Sequence, residues 1–418
     1  MRFFTSFRMT LRVRFLTEPA LSETSRFFAS LRMTRRRVQN DISCDNLVLI
    51  SWFLYVFMKK ILITRTDRIG DVVLSTPVFI SLKKSFPSVS ISVLVRPYTK
   101  EIVTDNPNLD EVIIYDPEGE HKTIGGLLKL AKEIEKKNFD TALILFLDFK
   151  VGLLTYLSKI PKRIGPGTKL AQIFLTDRIK QHRSKVDKHE TDYNLELAEI
   201  LGAKPIRQSE IYIPYEITKN IDNFFSLIVN RQSSISNPIV GIHPGSGGSA
   251  RNWKPERYAE LADKIIDKTG AVIFVTGGPG EEELVDRIIN SVKIPPLHPP
   301  LFKGGQGGVK GKAFKYISYG GLKELAAVIE RFNVLVGPST GPIHIATAVG
   351  TPVVSIYCPI FVCQPKRWGP IGKNDIAIVP DVPFCERCVF EDCKYYDCMD
   401  RISVDRVFEE VEKRLWER

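Results

Sequence analysis

From Met58 onward, short apolar runs alternate with longer segments in which apolar residues recur every three or four positions. Such runs, rich in Val, Ile and Leu, are typical of buried strands, and the segments between them are typical of helices. The predicted strands of the first half cover 61–64, 90–95, 112–115 and 141–146, and the predicted helices cover 72–85, a region beginning at 101, and 127–137. Because parallel strands need helical crossovers, residues 58–236 predict a first Rossmann-like domain.

The same alternation restarts at residue 237, after a predicted helix over 217–236 that runs into a polar linker. The predicted strands are 239–242, 271–275, 334–336 and 353–357, and the predicted helices are 255–268, 280–291, 322–331, 342–349 and 404–416. Residues 237–418 therefore predict a second Rossmann-like domain. The expected fold class is α/β, with two Rossmann-like domains whose parallel sheets face a central cleft.

Two segments depart from this pattern. Residues 2–10 recur as 26–34 with seven identities in nine but without helical or strand periodicity, so we interpret residues 1–57 as a non-native or disordered N-terminal extension. The alternative is a signal anchor over the apolar run 47–57, which is short for a membrane span. Residues 294–312 are rich in Pro and Gly, and we expect a mobile low-complexity insertion there.

Composition limits the class of protein without naming a function. The 418 residues are 44% apolar and 26% charged, as in ordinary globular proteins, and the net charge is +11. The segment 150–188 holds ten Lys and Arg against two acidic residues, which indicates either a solvated loop region or a site for an anionic partner. No aromatic-studded basic motif accompanies it, so nucleic acid is not an expected partner. Seven cysteines in a chain of this size favour a reducing compartment.

The segment 332–357 carries the strongest candidate for a binding site. A predicted strand is followed by a turn containing Ser339, Thr340 and Gly341, and Pro342 suits the first turn of the helix that follows. The N-terminus of a helix presents unpaired backbone N–H groups and the positive end of its dipole. This turn therefore predicts a phosphate site, with His344 one turn into the helix and within reach of the same anion.

Two further strand ends carry polar groups. The strand at 239–242 runs into a small-residue loop that contains Ser246, and the strand at 61–64 runs into a loop that ends at Asp71. Carboxyl ends of parallel strands lie at one edge of a sheet, so the three segments predict one cleft. Asp71 is either a general base with access to that cleft or the N-cap of a helix beginning at Val72.

These motifs resemble those of one enzyme family. Two Rossmann-like domains that face a cleft, with a phosphate-type turn in the second, resemble the GT-B glycosyltransferases. The motifs that carry a narrower resemblance are Ile69-Gly70-Asp71 through Thr76-Pro77, His243-Pro244-Gly245-Ser246 with Arg251-Asn252-Trp253 and 255–261, and Gly337 through His344 with Gly350-Thr351-Pro352. More narrowly, the ordered set resembles the lipopolysaccharide heptosyltransferases, glycosyltransferase family 9. The resemblance covers essentially all of residues 58–418.

The resemblance implies roles for individual residues. Asp71 would be the general base of an inverting, metal-independent transfer, and Ser246, Thr340, Gly341 and His344 would bind the nucleotide diphosphate sugar. Arg251 stands where family members often have a lysine near the diphosphate, and its guanidinium would neutralise leaving-group charge. Ser339 departs from the family pattern, in which an aspartate is frequent, so no carboxylate role is assigned there.

The resemblance also implies substrates and location. The donor would be ADP-heptose, with no cofactor required for catalysis, and the acceptor a lipid-linked anionic saccharide of the lipopolysaccharide core. The enzyme would be cytoplasmic, in peripheral contact with the inner face of the cytoplasmic membrane. Two alternatives stay open: a related transferase using another sugar for a different surface glycan, and a non-catalytic protein that binds nucleotide sugars or glycans.

Four cysteines near the C-terminus form a separate cluster over 385–398. Cys385, Cys388, Cys393 and Cys398 follow the pattern C-x2-C-x4-C-x4-C, and four thiols at such spacing suit a tetrahedral structural zinc site. Free thiols or a disulfide pair fit the same pattern, and the sequence does not separate the three.

Overall fold

The structure is a computed structural model that describes residues 58–168, 170–229, 237–247, 251–293 and 312–416. Within these ranges the chain forms two six-stranded sheets in which every pairing is parallel. The predictions for residues 1–57 and, apart from Lys312, for the insertion at 294–312 lie outside the described residues. The predicted α/β fold class with two parallel sheets is confirmed.

The first lobe is built on the sheet order β3-β2-β1-β4-β5-β6. Its strands are β1 Lys60–Thr64, β2 Ser90–Val95, β3 Glu111–Ile114, β4 Thr141–Ile144, β5 Lys162–Pro166 and β6 Asp177–Ile179. Its helices are α1 Ile69–Val73, α2 Thr76–Ser85, α3 Lys100–Val103, α4 Ile124–Lys136, α5 Phe149–Leu157 and α6 Glu190–Glu199. A 3-10 turn at Leu170–Phe174 lies between β5 and β6.

The second lobe repeats this strand order as β12-β11-β10-β7-β8-β9. Its strands are β7 Ile239–Ile242, β8 Val272–Gly277, β9 Ala313–Ile317, β10 Val334–Pro338, β11 Val353–Ile356 and β12 Ile376–Ile378. The helices from the second half of the chain are α7 Tyr215–Val229, α8 Pro255–Thr269, α9 Glu282–Ser291, α10 Leu322–Glu330, α11 Gly341–Val349, α12 Pro365–Trp368 and α13 Val404–Trp416.

Helix α7 packs on the second lobe although the sequence places it in the first domain. Phe225 lies 5.0 Å from Phe274 of β8 between ring centroids, and Phe224 lies 5.8 Å from Tyr316 of β9. Aromatic side chains bury large areas, so these contacts attach α7 to the second sheet. We therefore propose that the first lobe ends near residue 214 rather than at 236.

The strand order reverses between β1 and β4 in the first sheet and between β7 and β10 in the second. Crevices at the carboxyl ends of strands at such switch points are the usual ligand sites of open parallel sheets. All three predicted site segments follow β1, β7 or β10, so the topology brings them to these two crevices. None of the described helices is long and apolar enough to cross a membrane.

Candidate active site

Asp71 lies in the loop-to-helix segment that follows β1. Helix α1 begins at Ile69, three residues earlier than expected, and Arg68 is its N-cap. The interpretation of Asp71 as the N-cap of a helix beginning at Val72 is therefore wrong, because the strand is followed by a loop of only four residues. Asp71 lies in the first turn of α1, and its side chain is 14% exposed.

A buried arginine holds the Asp71 carboxylate. Arg65 is 1% exposed, and its Nη2 donates to Asp71 Oδ1 across 2.6 Å while its Nε donates to Asp67 Oδ1 across 2.7 Å. The Nη1 group donates to Asn194 Oδ1 at 3.0 Å and to Glu190 Oε1 at 3.2 Å. Burial raises the pKa of Asp67 to about 7 against the opposing attraction of Arg65. One guanidinium therefore orients two carboxyl groups at the end of β1.

Glu190 forms ion pairs with three guanidinium groups. In addition to Arg65, Arg183 Nη1 donates to its Oε1 at 2.5 Å, and Arg367 of α12 lies 3.0 Å from its Oε2. Burial by itself would raise the pKa of Glu190, but Arg183, Arg65 and Arg367 lower it to about 2. We call Glu190 and these three arginines the ion-pair cluster. Because Arg367 belongs to the second lobe and Arg65 also contacts Asp71, the cluster joins the two lobes next to Asp71. The adjacent His189 Nε2 hydrogen-bonds with Gly369 O at 2.8 Å and makes a second link.

The two lobes also touch where α1 meets the N-terminus of α11. A Cβ built on Gly70 would lie 2.7 Å from Cδ2 of His344, and one built on Gly341 would lie 2.8 Å from Cγ2 of Ile69. Real Cβ atoms do not approach that closely, so the contact requires glycine at both positions. Helix α1, which carries Asp71, therefore packs against the predicted phosphate turn.

The predicted phosphate turn has the expected local structure. Strand β10 ends at Pro338, Thr340 is the N-cap with extended dihedral angles, and Pro342 occupies the first turn of α11. The side chain of Thr340 does not cap the helix but donates to Pro338 O at 3.2 Å. Pro342 has no N–H and Ile343 N donates to Thr340 O at 3.2 Å, so the phosphate prediction rests on the N–H groups that precede them. The helix ends at Gly350, whose φ of 85° suits glycine.

His344 is buried in this arrangement, at 4% exposure. Its Nδ1 has no hydrogen-bond partner among the described residues. Burial, with a smaller contribution from His189, lowers the pKa of His344 to about 3. An unpaired ring nitrogen next to a helix N-terminus is a ready donor or acceptor for a ligand, because leaving it unsatisfied costs free energy.

Sequence reasoning missed Glu281, which lies beside the loop after β7. A Cβ built on Gly245, directly before Ser246, would collide with the Glu281 carboxylate, whose Oε2 accepts from Gly278 N at 2.8 Å. His243 at the end of β7 hydrogen-bonds with Thr276 Oγ1 at 3.0 Å, and burial lowers its pKa. The only signal in the sequence was that Glu281 follows a strand. The structure therefore adds a carboxylate to the Ser246 loop.

Arg251 points toward the cysteine loop at 385–398. Its Nη1 donates to Tyr396 O at 2.9 Å and lies 3.9 Å from Cys398 Sγ. Two residues on, Trp253 Nε1 donates to Met399 O and Ile402 O, both at 3.1 Å. The loop that carries Arg251 is therefore fixed by the segment that carries the cysteines.

The four predicted zinc ligands line one cavity together with Arg251, and Tyr395 N donates to Cys393 Sγ at 3.4 Å. The described cysteines are free thiols. As they are placed, no group of three or more His, Cys, Asp or Glu side chains in the described ranges could hold a metal ion. The four cysteines thus share one cavity, but as they are placed they do not form a metal site.

The cations in the middle of the basic segment do not face the cleft. Lys162 is the first residue of β5 and pairs in register with Thr141, the first residue of β4, so both lie at the amino edge of the sheet. Arg163 donates to Phe174 O at 2.6 Å, and Lys159 lies 2.7 Å from Glu135. These side chains serve local structure, whereas the cleft lies at the opposite, carboxyl edge.

Comparisons with known proteins agree on one family. A family model described as glycosyltransferase family 9 (heptosyltransferase) matches residues 127–396. The lipopolysaccharide core heptosyltransferase OpsX of Haemophilus influenzae is 27% identical over 77% of this chain and 84% of its own length. A family 9 glycosyl transferase from Veillonella parvula superposes with a TM-score of 0.74 at 25% identity, covering 86% of this chain and 98% of its own. The E. coli ADP-heptose lps heptosyltransferase II shares the fold with a TM-score of 0.66 at 20% identity, covering 86% and 99%.

Proposed function

The chain belongs to glycosyltransferase family 9, and from this premise we propose that it transfers a heptose from a nucleotide diphosphate donor to a saccharide of the lipopolysaccharide core. The resemblance drawn from the sequence is thereby confirmed, and the protein is a glycosyltransferase. Heptose and lipopolysaccharide come to this proposal from the family description and from the name of the OpsX relative. The observation that supports the proposal is the contact of Gly70 with His344, which brings the helix that carries Asp71 against the turn at 339–341.

The proposed reaction is a single displacement with inversion. The acceptor hydroxyl attacks the anomeric carbon of the heptose, the bond from that carbon to the diphosphate oxygen breaks, and the hydroxyl proton passes to Asp71. Arg65 holds the Asp71 carboxylate at 2.6 Å and so fixes the direction from which a hydroxyl approaches. This single displacement needs only one base and one leaving group, so no side chain of the first lobe acts as a nucleophile.

The donor diphosphate is proposed to lie on the N-terminus of α11. Thr340 and Gly341 supply backbone N–H groups there, and His344 supplies an unpaired ring nitrogen. Ser246 and Arg251 are proposed to approach from the loop after β7. A helix dipole and a guanidinium stabilise negative charge on the departing diphosphate, which is the role that a metal ion plays in other transferases, so we propose a metal-independent reaction.

ADP-heptose is the donor that we propose, with a lipid-linked acceptor that brings the enzyme to the inner face of the cytoplasmic membrane. Glu281 is proposed as an additional donor contact, because a carboxylate beside the Ser246 loop is well placed to accept from ribose hydroxyls. For the four cysteines a structural zinc ion remains a proposal, supported by their common cavity. Elemental analysis of the full chain, purified without chelators, tests it: zinc should be bound and should be lost in Cys388→Ser, and metal-free protein would exclude it.

A donor screen tests the proposed function. The full chain is incubated with ADP-heptose or other nucleotide sugars and a heptose-deficient core acceptor, and release of nucleoside diphosphate is measured. Acceptor-dependent release of ADP with ADP-heptose supports the proposal. Release with another sugar alone would indicate the related transferase. Calorimetric binding of nucleotide sugar without any turnover would indicate a non-catalytic binding protein.

A further inference from the structure

Large apolar side chains are exposed together on one flank of the first lobe. They come from α4, α5 and the 3-10 turn that follows β5: Ile124, Leu128, Phe149, Tyr156, Leu170 and Ile173. Ile124 is 79% exposed and Leu170 is 77% exposed. We call these six residues the apolar patch. Scattered single apolar residues are normal on a surface, whereas a group on adjoining elements marks an interaction site.

The apolar patch rests on a rigid base. Phe174 contacts Phe149 with ring centroids 5.2 Å apart and Tyr156 at 5.8 Å, so the turn is tied to α5. Gly152 permits this approach, because a Cβ there would lie 2.9 Å from Phe174 Cδ2. Beneath the patch, one buried cluster contains residues of α4, α5 and the turn, including Leu130, Leu154 and Ala171. These elements therefore present their exposed residues as one surface.

Positive charge accompanies the patch on the side of α5 and β6. Lys150, Arg178 and Lys180 are exposed, and the guanidinium of Arg163 lies 5.5 Å from the ring centroid of Tyr156. On α4 the charges are mixed, because Lys129 pairs with Glu120 at 2.9 Å. Residues 148–180, the segment that carries Phe149, Leu170 and Ile173, hold seven Lys and Arg against the two acidic residues Asp148 and Asp177, so its net charge is positive.

We propose that the apolar patch and the cations beside it dock the enzyme on an anionic phospholipid bilayer. Exposed Leu, Ile and aromatic side chains flanked by Lys and Arg are the chemistry of interfacial binding: the apolar groups enter the acyl boundary and the cations meet lipid phosphates. A second copy of this chain would bring the same positive charge against itself, which disfavours it as the occupant. The inference rests on the proposed function, because a lipid-linked acceptor is held at the membrane surface to which the enzyme would dock.

The position of the patch suits such an acceptor. Helix α5 starts at Phe149, with four residues between it and the end of β4, and so begins at the carboxyl edge of the first sheet. Asp71 follows β1, which pairs with β4 in that sheet. Docking through α5 therefore brings the mouth of the cleft close to the membrane surface, where a membrane-anchored saccharide emerges.

Vesicle co-sedimentation of the full chain tests the proposal. The test variant is Leu170→Glu with Ile173→Glu, and the matched control is Leu227→Glu, which makes the same change at a residue of α7 that is 62% exposed. With vesicles containing phosphatidylglycerol, we expect the test variant to partition at least tenfold more weakly than wild type, and the control to match wild type. Lys150→Gln should weaken binding about fivefold, and added salt should reduce that difference.

Several results would overturn the inference. They are equal partitioning of wild type and test variant, equal binding of wild type to uncharged and anionic vesicles, or a change of oligomeric state in the test variant, which would assign the patch to a second copy. Thermal melting confirms that each variant is folded. Transfer to a deacylated acceptor separates the two proposals. If wild type transfers no sugar to this acceptor while its vesicle binding depends on the patch residues, the proposed function fails and the docking stands. If transfer to this acceptor is observed while vesicle binding is the same in wild type and test variant, only the docking fails.

Discussion

Gly70 packs directly on His344 across the cleft. A Cβ on Gly70 would lie 2.7 Å from the His344 ring, whose own position is fixed by burial at 4% exposure. The residue next to the proposed base and the residue one turn into the donor helix are thus in van der Waals contact. Three of the predictions below concern this contact and the ion pairs of Glu190, a fourth concerns the loop that carries Arg251, and a fifth tests the proposed base.

Gly70→Ala should impair catalysis more than folding. The added methyl group forces α1 away from α11, which displaces Asp71 from the donor, and misplacement of about 1 Å in an active site can cost on the order of 100-fold in rate. We expect kcat/KM to fall about 10- to 100-fold in the nucleoside diphosphate release assay. The control is Gly125→Ala in the first turn of α4, where a Cβ would meet only Thr123 Oγ1 at 3.9 Å. Unchanged kinetics in Gly70→Ala would show that the lobes do not act in this closed arrangement.

Glu190→Gln should destabilise the protein strongly. It leaves three guanidinium groups facing a neutral amide at a site where Glu190 is 1% exposed, and breaking a buried ion pair typically costs about 3–5 kcal/mol. The measurement is the free energy of unfolding in urea. Glu118→Gln is the control, because Glu118 is 82% exposed beside Arg96 and such surface pairs contribute at most about 1 kcal/mol. Similar losses in both variants would mean that the cluster does not join the lobes.

His344 should make the protein sensitive to acid. Its pKa is lowered from 6.5 to about 3 in the folded state, so the unfolded chain binds one more proton between these values. The contribution to stability is complete above pH 6.5 and is lost as pH falls toward 3, at about 1.4 kcal/mol per pH unit. His344→Asn should therefore show a flatter dependence of unfolding free energy on pH between 6 and 4 than wild type. Parallel curves would place the His344 ring in contact with water.

Trp253→Phe should weaken donor binding while leaving chemistry nearly intact. The indole N–H donates to Met399 O and Ile402 O, and its loss loosens the loop that carries Arg251. We expect the KM for the donor to rise several-fold with kcat changed by less than about twofold, since a bond lost at a distance from the reacting atoms affects ground-state binding. Trp416→Phe, at a residue 64% exposed on α13, is the matched control. A loss in kcat alone would contradict this role for the cysteine loop.

The sequence predicted most of the fold because a continuous run of apolar residues identifies a buried strand. It missed four strands: β5, β6, β9 and β12. Three of them, β6, β9 and β12, lie at sheet edges, and β5 begins with Lys162 and Arg163, so none presents a long continuous apolar run. It missed α5 because Phe149 and Tyr156 are exposed and blur the helical periodicity. Such segments are decided by tertiary packing rather than by local pattern.

For the site, local motifs were sufficient where one strand, turn and helix carry the chemistry. Thr340, Gly341 and His344 lie at the N-terminus of α11, as the local pattern predicted, and Gly70, the neighbour of Asp71, contacts His344. The contact of Arg65 with Glu190 could not be predicted, because Glu190 is 125 residues away along the chain and no local pattern connects them. An ion-pair cluster built from distant segments becomes visible only when the fold brings its members together.

The kinetics of Asp71→Asn test the central claim most directly. The amide keeps the shape of the side chain and its contact with Arg65 but accepts a proton far less readily, so only the base function is removed. With ADP-heptose and a core acceptor, we predict that kcat falls about 10²- to 10⁴-fold, while calorimetric titration shows ADP binding within about threefold of wild type. A variant that turns over within about fivefold of the wild-type rate would contradict the assignment of Asp71 as the general base, and with it the proposed mechanism of transfer.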